Sequence, residues 1–182
     1  MEKSKKKEKQ QLWVEGWEME WNLHRCGRRV WRELEPLWPS VSELPREAEV
    51  VLAAVWQRSA NDMSGYSFDT TEERDKLSAK FVKHAQLVCR HVKEKGHWAD
   101  FIDPSSGVPF FGEPVNTVFM ETDEVIGLLG YDILELGCCK VVSHAAWGTF
   151  ATLAVLVTTA SSDVLEEAIK LASSSSSSSS SN

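Results

Sequence analysis

Two adjacent thiols followed by an ammonium, Cys138-Cys139-Lys140, open a β-branched run through Val141 and Val142. Such a run favours a strand, and strand side chains alternate between faces. The pattern therefore predicts Cys138 and Cys139 on opposite faces, with Lys140 sharing the face of Cys138. One thiol is then placed for the core and the other for solvent. A thiolate beside a cation is a better nucleophile and a better soft-metal donor than a buried thiol. A chemical centre is expected here, with one exposed thiolate acting as an axial ligand or attacking group.

The other reactive residue types carry weaker patterns. A zinc site needs four ligands. Cys138 or Cys139 with His144 supplies two, Cys89 and His91 lie far off in sequence, and no CxxC pair exists. Cys89 shares a helical face with Ala85 and is expected to be buried, as is Cys26. Asp100 and Asp103 could exchange protons, but an aspartate beside a proline turn more often holds a local hydrogen-bond network. Glu121, Asp123 and Glu124 read as acids at a helix start. Phosphate-binding glycine loops, the P-loop and GxSxG are all absent from the sequence.

The elements that must position these residues follow from periodicity. Trp13, Trp17 and Trp21 recur every four residues and predict a helical stripe. A short helix is expected over residues 24–34, stopped by Pro36. The apolar run Glu49-Val50-Val51-Leu52-Ala53-Ala54-Val55-Trp56-Gln57 predicts a central strand. A long helix is expected from Asp69, Thr70 or Thr71 as cap to Gly96 as stop. Strands are expected over 97–102, 115–120, 138–146 and 149–159, with a helical turn between Thr122 and Gly130 and a last helix through Leu171. Between Lys140 and Asp163 no charged residue occurs, yet the stretch is β-branched and broken near Trp147-Gly148, which predicts two buried strands rather than a bilayer span. The resulting order, α-β-α-β-β-α-β-β-α, implies a mixed α/β (α+β) domain with helices on a largely antiparallel sheet.

The 182 residues suit one domain, and 42% hydrophobic residues argue against global disorder. A net charge of −7 argues against general nucleic-acid binding, which needs a basic face. Cysteine spacing forms no disulfide framework, so a reducing, intracellular compartment is the simplest reading. Residues 1–17 are expected as a lysine-rich, flexible lead-in, 18–172 as the globular domain, and 173–182 as a disordered tail that holds nine consecutive serines. The lead-in has neither a secretory apolar core nor a clear mitochondrial presequence.

Several strings here are long and unusual: His97-Trp98-Ala99-Asp100-Phe101-Ile102-Asp103-Pro104-Ser105-Ser106-Gly107, Phe110-Phe111-Gly112, Leu136-Gly137-Cys138-Cys139-Lys140-Val141 and His144-Ala145-Ala146-Trp147-Gly148-Thr149. With Glu121-Thr122-Asp123-Glu124 they resemble, over roughly residues 18 to 165, the CblD family of cobalamin trafficking proteins. The resemblance implies a nitroreductase-like single domain without bound flavin, and a non-enzymatic vitamin B12 chaperone. It implies a CblC-like processing partner and routing toward methionine synthase or methylmalonyl-CoA mutase, in the cytoplasm with mitochondrial delivery as the other branch. It also implies that Cys138 gives its thiolate to the cobalt of cobalamin within the partner complex. Lys140 is then a candidate thiolate stabiliser. The rival expectation is a flavin-dependent reductase of nitroreductase type.

Overall fold

The computed structural model describes residues 10–39, 41, 50–137 and 139–174. Cys138, the proline at position 45, residues 1–9 and most of the polyserine tail lie outside the described residues.

The main sheet has five strands in the order β1-β2-β3-β7-β4: β1 Gln10–Val14, β2 Met19–Arg25, β3 Val51–Arg58, β7 Ala151–Thr158 and β4 Ala99–Phe101. Every neighbouring pair is antiparallel. β3 lies at the centre, with its first seven residues buried, as its continuous apolar run requires. A separate antiparallel hairpin pairs β5 Asp132–Glu135 with β6 Lys140–Ser143. The four α-helices are α1 Arg28–Leu34, α2 Phe68–Glu94, α3 Glu124–Leu128 and α4 Ser162–Ser174.

Alternation along the strands splits the core in two. Met19, Trp21, Leu23, Val51, Ala53 and Val55 face α2 and α4, which contribute Phe81, Val88, Leu165 and Ile169. On the opposite face Leu52, Ala54, Trp56, Val155 and Val157 meet α1, α3, Trp38 and Val142 of the hairpin. α2 starts one turn earlier than expected, because Ser67 and Thr70 form a reciprocal capping box.

The tryptophan stripe is a correction. Trp13 lies on β1, Trp17 in the turn and Trp21 on β2, with Leu12 opposite Trp21 and Trp13 opposite Glu20. A spacing of four is even, so it satisfies a strand as well as a helix. The turn at Gly16, with φ +81°, reverses the chain between them. Trp13 is consequently 55% exposed while Trp21 is fully buried. The lead-in boundary moves for the same reason, since Gln10–Val14 is a strand of the sheet. Residues 115–120 form no strand: Phe119 N–H donates to Gly107 O, and Val118 and Met120 remain exposed. Gly107 has φ +72°, and a Cβ there would meet Val118 and the Phe119 carbonyl at 2.5 and 2.7 Å, so only glycine fits this crossing.

Candidate functional site

The hairpin β5–β6 carries Gly137 and Cys139 at its tip. Leu136 N–H donates to Cys139 O at 2.9 Å, and Gly137 takes φ +78° there, as tight hairpin connections demand. β6 begins at Lys140, so half-buried Cys139 precedes the strand and the expected alternation does not reach back to it. Cys138, the expected cobalt ligand, lies outside the described residues. Lys140 Nζ stands 3.4 Å from Glu135 Oε1 across the hairpin, with both side chains largely exposed. The ammonium expected to serve a thiolate is therefore shared with a carboxylate.

The base of the hairpin is fixed at both ends to one strand. Just before β5, the Tyr131 hydroxyl hydrogen-bonds His24 Nε2 on β2 at 2.8 Å. Burial, reinforced by the charge of Glu20, pushes the Tyr131 hydroxyl above its ordinary range, so it stays protonated. Just after β6, His144 Nδ1 accepts the backbone N–H groups of Ala146 and Trp147, each at 3.2 Å. A ring nitrogen that accepts carries no proton, so the proton sits on Nε2. His144 Nε2 then donates to Glu20 Oε1 on β2 at 3.3 Å. Asn22 Nδ2 donates to the same oxygen at 2.7 Å. The His144 ring stacks on Trp147 at 4.0 Å and meets Trp56 edge-on at 5.0 Å. Glu20, Asn22 and His24 share one face of β2 because they alternate along it.

His144 is thus a structural anchor, with both ring nitrogens in use. Among the described residues no group of three or more His, Cys, Asp or Glu could hold a metal ion. Asp100 is buried and accepts from Trp38 Nε1 at 2.9 Å, Phe101 N–H at 2.8 Å and Phe111 N–H at 2.9 Å. Asp103 receives Ser105 N–H and Ser106 Oγ in its turn. Both aspartates do the network work expected of them. Cys89 is fully buried, which pushes its thiol up to about 12, with Lys93 opposing and Asp100 adding to the shift. Cys26 is half-buried rather than buried. Asp123 accepts Met120 N–H at 2.8 Å, and Glu124 pairs with Arg29 at 3.0 Å. Glu121 departs from the expected helix-start role: it lines a cavity, and burial raises the pKa of its carboxyl, with Arg74 and the Leu153 N–H opposing. The anchors Glu20, His24 and Tyr131 escape a reading that makes residues 13–21 helical, because the alternation Glu20-x-Asn22-x-His24 has meaning only on a strand.

Fold and site together define a class: a mixed α/β domain that presents a cysteine-bearing hairpin on a pinned base. The chain matches the model of the methylmalonic aciduria and homocystinuria type D protein family over residues 1–169 and belongs to that family. Relatives called "Cobalamin trafficking protein CblD" include one from Mus musculus, 37% identical over 153 residues, which are 84% of this chain and 50% of the relative. The counterparts from Homo sapiens and Gallus gallus are 35% and 34% identical over the same shares. The chain therefore spans about half the length of the relatives it matches. Among the described residues no helix is long and apolar enough to cross a membrane.

Proposed function

We propose that this chain is a cobalamin-trafficking adaptor, non-enzymatic, that offers the Cys138 thiolate to the cobalt of cobalamin held by a CblC-like processing partner. Membership of the family, with the Leu136-Gly137-Cys138-Cys139-Lys140 string inside the matched residues, carries this reading. A thiolate is a soft, strong σ-donor suited to a cobalt centre. The thiol gives its proton to solvent, and the thiolate lone pair takes the cobalt position that a bound water leaves, so the cobalt keeps its oxidation state. The hairpin supports the role physically, because its base is tied to β2 at Tyr131 and His144. Lys140 favours the thiolate modestly, since Glu135 already draws on its charge. The reading includes a nitroreductase-like fold without flavin, and hand-over toward methionine synthase or methylmalonyl-CoA mutase.

The test is a visible absorption spectrum of cobalamin with this chain and a CblC-like partner under reducing conditions, beside Cys138→Ala. A cobalt–thiolate band that is lost in the variant supports the proposal. Identical spectra for both chains, with partner binding demonstrated, would remove Cys138 as ligand. A yellow protein with flavin absorbance would favour a reductase instead.

A further inference from the structure

A cavity of about 340 Å³ lies between the first half of α2, the edge of β7, the turn at Pro104–Gly107 and the segment around Glu121, and it reaches Lys140 on β6. The volume is far beyond the gaps that close packing leaves and falls within the lower range of small-molecule sites, about 300–1,000 Å³. β4 pairs with β7 only at Leu156, Val157 and Thr158, and Ile102 N–H reaches Val155 O. Leu153 is past the end of that pairing, and the Glu121 carboxylate lies near its N–H.

Arg74 faces this carboxylate and acts on it electrostatically. Its Nη2 donates to Met63 O at 2.9 Å, and the guanidinium sits 5.6 Å from the ring centre of Tyr66, a residue 88% exposed at the mouth. A guanidinium has five N–H donors in a fork that fits a carboxylate or sulfonate. Leu77, Phe81 and Phe119 give the wall an apolar portion.

We infer that this cavity binds a small organic anion with an apolar body, held by Arg74, with Lys140 at the far wall and Glu121 as the resident anion that the ligand displaces. The overall charge of −7 opposes anions at long range, so recognition must come from these local cations. Burial raises the pKa of the Glu121 carboxyl, with Arg74 and the Leu153 N–H opposing. The site shares Lys140 with the Cys138 proposal, but it is argued from the cavity, Arg74 and Glu121 and survives that proposal's failure.

The probe is 8-anilinonaphthalene-1-sulfonate, titrated into the whole chain with fluorescence readout, with folding of each variant checked by its urea midpoint. Saturable one-site binding is expected. Arg74→Gln should weaken it about tenfold, the worth of a charge-assisted anion contact. Glu121→Gln should tighten it, because a competing carboxylate is removed. Cys138→Ala should leave it unchanged. Equal effects of the Arg74 and Glu121 variants, or no effect of either, would overturn the assignment. Should Arg74→Gln fail to fold, amide NMR of the unmodified chain with benzoate decides: the Leu153 and Gly107 amides should shift and that of Gly148 should not. Shifts located elsewhere would overturn it equally.

Discussion

Acid should weaken this fold through one buried ring, His84. It lies on α2 with no exposed surface, 4.6 Å from the Trp17 ring and 5.4 Å from the Trp21 ring, centre to centre. Ser173 spends its hydroxyl proton on Ile169 O at 2.7 Å, so at 3.3 Å His84 Nε2 is the donor to Ser173 Oγ. Nδ1 is left as a buried lone pair with no partner. Burial lowers the pKa of this histidine from 6.5 to about 4. The unfolded chain takes up the proton near 6.5, whereas the folded chain resists until about 4. The associated stability is therefore present above 6.5 and is lost as the pH falls toward about 4. Each unit is worth about 1.4 kcal/mol, so the full loss is about 3 kcal/mol, of which about 2 kcal/mol is gone by pH 5. The assay is urea unfolding followed by tryptophan fluorescence at pH 7 and pH 5, for the natural chain and for His84→Gln. Glutamine keeps a donor of similar reach but does not titrate. It should lower stability at pH 7 and lose about 2 kcal/mol less than the natural chain between the two pH values. Other titrating groups cancel in that difference. Equal losses in both chains would refute the reasoning.

Other expectations concern the buried network and the thiols. Asp100→Ala strands the Trp38 indole N–H and two backbone donors, and should cost about 3–5 kcal/mol in urea unfolding. Asp100→Asn, which keeps acceptor oxygen in place, should cost clearly less. Cys89, with its thiol near 12 and no exposed surface, should resist iodoacetamide at pH 8 until urea is added, as read by peptide mass spectrometry; native-state labelling would refute its burial. Glu20→Leu removes the acceptor shared by Asn22 and His144. It should destabilise the chain by about 2 kcal/mol and speed hydrogen exchange at Gly148, whose N–H bonds His144 O. Unchanged exchange there would show that the latch does not hold the turn.

Legibility in the sequence tracked how local each determinant is. The continuous apolar run into β3 and the helical spacing of Leu77, Phe81, Ala85, Val88 and Val92 are one-segment signals, and both elements stand where periodicity puts them. The break near Trp147-Gly148 also separates β6 from β7 as expected. The Trp13-Trp17-Trp21 spacing over β1 and β2 suits helix and strand alike; only pairing partners decide, and for β2 those lie along β3. β5 has a mixed, largely exposed burial pattern, so it exists through its register with β6 rather than through its own hydrophobicity. The apolar residues 115–120 look strand-like in isolation but find no ladder, and Phe119 N–H bonds Gly107 O of a turn instead. At the candidate site the cysteine string stands out in the sequence by residue type alone. Its supports, Glu20, His24 and Tyr131, do not, because their meeting depends on a sheet register far away in sequence.

The pinned hairpin also has a mechanical meaning. Four strand residues separate its base from Leu136 and Cys139, a reach of about 13 Å at about 3.3 Å per residue. On an arm of that length, a tilt of only about 4–5° at the base sweeps the tip through about 1 Å. Metal–ligand bonds tolerate errors of about 0.2 Å. Anchorage to alternate residues of one strand fixes the tilt of such an arm more firmly than either contact alone. A slip of β2 by one residue would turn Glu20 and His24 to the other face and release both anchors together. The aim of the tip is thereby tied to the register of a strand of the main sheet.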